Sequence, residues 1–149
     1  MVASLAILVI SAFLFIYWFR YTCIWILGGK AARGFAAGIA EANQLSFPSI
    51  QERLRAETGM SDLDTLRAAL ERDYRIVSYL LRHGAELQVG GESLEHIMLR
   101  ADYRIMTGIF WVSRMFGAPQ AVNALREMTQ IVDYFANAMG ERVAVTARS

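Results

Sequence analysis

Apolar positions along this chain follow two regimes, one continuous and one periodic. Residues 2–19 (VASLAILVISAFLFIYWF) form an apolar run whose only polar side chains are Ser4, Ser11 and the hydroxyl of Tyr17. Eleven of them are Val, Leu, Ile or Phe, each favouring insertion near a bilayer centre by about 0.3 to 0.6 kcal/mol. Their sum, about 3 to 6 kcal/mol, exceeds the cost of Arg20, which sits at the edge and can snorkel to the interface. The run predicts one transmembrane helix. Apolar character resumes over 23–27, so the helix is expected to continue past the bilayer to Gly28-Gly29.

Beyond residue 30 the pattern turns periodic. Residues 30–44 are rich in Ala and Gly, with Phe35 and Ile39 four apart, predicting a short, weakly amphipathic helix. Ser46-Phe47-Pro48 opens a second short helix ending at Gly59, with proline tolerated in its first turn. Ser61 with Asp64 reads as a capping box, and Leu63, Leu66, Leu70, Val77 and Leu80 follow at helical steps toward a basic end at Arg82-His83-Gly84. A loop is expected over 85–92. Ser93 then caps a helix over 94–116 whose second half, 105–112 (IMTGIFWV), is apolar nearly all round. Gly117 ends it. Pro119 starts a third long helix with Val122, Leu125, Met128, Val132, Phe135 and Met139 on one stripe, which Gly140 should terminate. The expected organisation is an anchor with its interfacial flank over 1–29, connecting helices over 30–60, a bundle over 61–140 and a frayed tail over 141–149.

Composition supports an all-α fold: helix formers dominate, and the only prolines are Pro48 and Pro119. Thus the chain reads as a single N-terminal transmembrane helix followed by a small cytoplasmic bundle of about three long helices and two short ones. The segments LERDYRI (70–76) and LRADYRI (99–105) form a faint repeat that would also suit a short solenoid, though a bundle with short loops is simpler.

Charge sets the expected topology. No charged side chain precedes the span, whereas Arg20, Lys30 and Arg33 follow it, so the N-terminus is expected outside and the bulk in the cytoplasm of a cell membrane. Trp18, Arg20, Tyr21, Trp25, Lys30 and Arg33 are the expected membrane-interface residues. A cleaved signal peptide would want a basic start and a shorter apolar core. A formal net charge of +1 points to no nucleic-acid partner.

Candidate chemistry is sparse. Cys23 is the only cysteine, which excludes an internal disulfide, and it reads as a packed side chain or a juxtamembrane palmitoylation site. His83 and His96 lack the paired Glu-x-x-His pattern of a di-iron bundle and read as a last-turn and a first-turn residue. Asp73, Tyr74 and Arg75, with Asp102, Tyr103 and Arg104, are read as a structural polar network crossing between helices, for example Asp102 with Arg72 or Arg75. An acid–base centre is the alternative. Ile109, Phe110, Trp111, Met115 and Phe116 exceed what one face of a small bundle buries, so they form a candidate partner surface unless the helix is sandwiched. No catalytic residue, cofactor or metal is assigned. The expectation is a non-catalytic, membrane-anchored subunit or scaffold that joins a larger membrane complex or self-assembles. A tethered adaptor binding a cytoplasmic protein or peptide through 105–116, and a small membrane enzyme using the Asp/Tyr/Arg cluster, are the alternatives.

Overall fold

The computed structural model describes residues 1–30, 34–56, 62–86, 93–117 and 119–148, with the backbone alone at 30 and 84–86. Six helices account for nearly all of them: α1 (Val2–Lys30), α2 (Phe35–Ala42), α3 (Phe47–Arg55), α4 (Leu63–Glu86), α5 (Leu94–Met115) and α6 (Gln120–Thr146). The fold is all-α, as composition and periodicity predict, and no strand occurs among the described residues.

The axis of the bundle is α6, the only helix that touches all five others. Leu125, Met128, Ile131, Val132 and Phe135, spaced at three and four residues, give it a fully buried stripe. Against this stripe lie Leu99, Met106 and Phe110 of α5 and Leu66, Leu70 and Val77 of α4, all buried. Side chains of this size each stabilise by about 1.5–3 kcal/mol when fully removed from water. A bundle, not a solenoid, is therefore the architecture.

Pairwise contacts fix the directions. Asp64 meets Arg114 and Tyr74 stacks on Tyr103, so α4 and α5 are antiparallel. The Tyr134 hydroxyl donates to Glu95 at 2.7 Å, while Arg20 bridges Asp102 and Glu127, so α5 and α6 are antiparallel too. Arg20 also touches Met106, and Trp25, Ile26 and Gly29 share a small cavity with Glu95. Hence α1 runs against α5 and with α6.

Both short helices receive caps from the long ones. The Ser46 side chain makes no capping bond; instead Asp73 of α4 accepts the Ser46 and Phe47 N–H groups at 2.6 and 2.7 Å. At α2, Asn137 of α6 accepts the Ala36 N–H at 2.8 Å. These first-turn donors have no partner inside their own helix. Pro48 occupies the first turn of α3, as expected.

Several boundaries differ from the sequence expectation. Gly84 lies inside α4, which runs to Glu86. The proposed capping residue Ser61 and most of the loop over 85–92 lie outside the described residues. Gly117 closes α5 in the left-handed region, with φ of 64°, as expected of a glycine C-cap. Gly140, by contrast, does not end α6, which continues to Thr146. Its missing side chain admits α2: a Cβ built there would overlap the Phe35 Cβ and press on its ring carbon Cγ. The helix pattern is not broken at Gly140 but notched.

That notch is open to test. Gly140→Ala should lower stability by about 1–3 kcal/mol, because the overlap is with a Cβ fixed to a backbone rather than with a flexible chain end. Gly108→Ala on α5, where no atom lies within 4 Å of an added Cβ, should raise stability by up to about 1 kcal/mol through helix propensity alone. Thermal unfolding of the two detergent-solubilised variants separates close packing from propensity.

Candidate functional site

The most concentrated polar arrangement lies where α1 joins the bundle. On α1, Phe19, Cys23, Ile26 and Leu27 recur at helical spacing and pack into the core, Cys23 without any exposed surface. Arg20 adjoins this face. Its guanidinium donates to Glu127 at 2.8 Å and to the Met106 sulfur at 3.2 Å, and lies 3.6 Å from Asp102. The Arg20 guanidinium, expected to reach outward along the helix, turns inward to the two carboxylates. Asp102 pairs with neither Arg72 nor Arg75.

Asp102 is fully buried. Burial first, then the adjacent Glu127 carboxyl, push it up to about 7, against the pull of Arg20. A proton retained on Asp102, with Arg20 bonded to Glu127, is the arrangement this favours. The Asp102 carboxyl is sealed from solvent, and the ion pairs tie α1, α5 and α6 together as a latch.

The rest of the Asp/Tyr/Arg set is divided among separate tasks. Asp73 caps α3, and its carboxyl is raised by burial although the two N–H groups oppose this. Tyr74 and Tyr103 stack with centroids 3.8 Å apart, so antiparallel packing lays the two repeat segments against each other. The Tyr103 hydroxyl donates to Glu71 at 3.3 Å, and burial raises the pKa of both phenols. Arg75 is exposed beside Glu71, and Arg104 is exposed. Asp73 and Asp102 thus sit in different environments and form no carboxylate pair.

Both histidines are also placed. His83 is exposed in the last turn of α4, its Nδ1 3.0 Å from the Tyr79 carbonyl oxygen. His96 lies in the first turn of α5, as expected, and is buried there, edge-on to Phe135 and Tyr134. Among the described residues no group of three His, Cys, Asp or Glu could hold a metal ion.

Of the expected interface residues, Trp18, Tyr21 and Trp25 project outward from α1. Arg33 and the Lys30 side chain lie outside the described set. The expected partner surface is split. Phe110 is fully buried in the core and leaves that surface, because the inward stripe of α5 passes through it. Ile109 and Trp111 are exposed, and Met115 and Phe116 are 81% and 80% exposed. Arg67 of α4 lies over the Trp111 ring, 4.8 Å from its centroid.

A cleft of about 380 Å³ opens between α1, α3 and α6, lined among others by Ile24, Gln51, Arg55, Gln130, Asp133 and Asn137. Its central polar groups are engaged: Asn137 holds the Ala36 N–H and donates to Asp133 at 3.3 Å. Burial raises the Asp133 carboxyl.

Sequence reasoning missed Glu127 and Asn137. The signal was present, since both lie on α6 beside its apolar stripe, where a polar residue needs a partner from another helix. Comparison with known proteins finds no matching family model, no matching curated protein and no matching solved structure.

Two measurements probe this region. Asp73→Ala should cost about 1–3 kcal/mol, since two buried donors lose their acceptor, and should free α3 for faster amide exchange ahead of global unfolding. At the latch, Arg20→Met should cost about 3–5 kcal/mol by leaving buried carboxylates unbalanced. The pH dependence follows from the raised Asp102. The folded protein keeps a proton that an ordinary Asp near 3.8 releases, so the stability contributed is full below about pH 4 and is lost as pH rises through about 7. The melting temperature of Asp102→Asn should therefore fall less between pH 5 and 8 than that of the unmodified chain.

Proposed function

We infer that this chain is a non-catalytic, membrane-anchored helical subunit that packs onto a larger membrane complex or onto copies of itself. One observation carries the reading: α1 is a single continuous helix with two different halves. Residues 2–18 are exposed along their length and long and apolar enough to belong to a membrane span. The second half is built into the bundle core through Cys23, Ile26 and Leu27 and latched by Arg20. An exposed apolar rod of that length requires lipid or another protein around it.

The same continuity argues against a cleaved leader. Removing α1 up to the interfacial aromatics would cut through the helix that supplies Cys23 to the core and Arg20 to the two carboxylates. Orientation follows from charge: basic residues flank only the C-terminal side of the apolar run, which favours a cytoplasmic bundle in a cell membrane. The scaffold role rests on how the polar residues are used, since the buried ones brace helices against one another.

The full chain, expressed in membranes, should stay in the pellet after alkaline carbonate extraction and retain residues 2–19 by mass spectrometry. In mild detergent it should migrate as an assembly larger than one chain. Release by carbonate or loss of the apolar run would refute the anchor, and a lone monomer on native sizing would refute the subunit role.

A further inference from the structure

The end of α5 stands in a particular relation to α1. Because Glu95 lies level with Trp25, Ile26 and Gly29, and Asp102 and Met106 level with Arg20, α5 runs toward the apolar half of α1 as it approaches its C-terminus. The ten residues from Met106 to Phe116 carry it up to about 15 Å further in that direction. Over this stretch its inward face supplies Phe110 to the core, and its outward face presents Ile109, Val112, Met115 and Phe116. The start of α4 and the start of α6 lie at the same end, since Asp64 pairs with Arg114 and only residues 116–119 separate α5 from α6.

We propose that the α5–α6 hairpin tip is a second membrane contact, an interfacial wedge whose Val112, Met115 and Phe116 enter the leaflet from which α1 emerges. This rests on the reading of α1 as a span. The occupant is lipid rather than protein because the direction of α5 carries the patch toward the same layer that covers residues 2–18. The chemistry at its rim agrees. Trp111, with Arg67 over its ring, forms the aromatic–cation pairing suited to headgroup level. Arg126 is exposed on the first turns of α6, where it can face anionic headgroups. Asp64 has its charge matched by Arg114 at 2.9 Å, and that contact lowers its pKa, while Asp62 beside it is exposed.

Trp18, Trp25 and Trp111 are the only tryptophans, which makes the test direct. In vesicles of phosphatidylcholine and phosphatidylglycerol, the full chain carrying Trp18→Phe and Trp25→Phe reports on Trp111 alone. The chain carrying Trp25→Phe and Trp111→Phe reports on Trp18 in the span. The replaced tryptophans on α1 are exposed, and a third chain with all three changed to Phe plus Phe116→Trp places a reporter at the tip. Expected is quenching of Trp111 by lipid brominated near the headgroup end of its chains, to a fold-change comparable with that of Trp18. The tip reporter should be quenched more strongly still, and acrylamide in the water should reach neither. If lipid quenches Trp18 but only acrylamide reaches Trp111 and the tip, the wedge is refuted and the anchor stands. If lipid quenches Trp18 while neither agent reaches Trp111 and the tip, protein covers the patch and the wedge is again refuted. If lipid quenches none of them, the anchor reading fails and takes the wedge with it.

Discussion

Two carboxylates, Asp102 of α5 and Glu127 of α6, meet beside the root of α1, and taking them out of water is costly unless a cation goes with them. Arg20 is that cation. The requirement is reciprocal, because an arginine directly after an apolar run of this length would otherwise have to find water or a headgroup. Around this exchange of charge the remaining contacts fall into place: Cys23, Ile26 and Leu27 follow Arg20 onto the bundle, and Met106 closes over the guanidinium. The result is a helix that leaves the bundle with a fixed direction instead of a tether that swivels.

The apolar stripes of α4, α5 and α6 are legible in the sequence because burial on one face imposes a three- and four-residue period, and the long helices appear where that period predicts them. Gly140 shows where reading by residue type fails. Glycine near the end of an apolar stripe suggests termination, but α6 continues, and the glycine is explained by Phe35, a residue more than a hundred positions earlier. Phe110 carries the same lesson for exposure: its neighbours in sequence suggest surface, whereas antiparallel packing on α6 puts it inside.

Polar residues were the least legible. Asp73 and Asp102 occupy equivalent places in two nearly identical segments, yet one caps α3 and the other meets Arg20. A repeat fixes local conformation but not which helix lies opposite each copy. The arginines on α4 suggest a partner there for Asp102; its partner comes from α1, where the position of Arg20 after the apolar run suggests the membrane surface instead. Complementary charge could have nominated either pairing, and only the directions of the helices decide between them.

The borrowed caps of α2 and α3 bear on the order in which the chain can become structured as it is synthesised. A helix of eight or nine residues has too few internal bonds to persist in water by itself. The acceptor that completes α3 is Asp73, and the one that completes α2 is Asn137, so each is made later than the helix it serves. The Phe35 side chain likewise has its seat only once Gly140 exists. Residues 35–42 must therefore wait, unfinished, until residue 140 has left the ribosome. The joint next to α1 is made well before the groups that complete it, and it sets only after them.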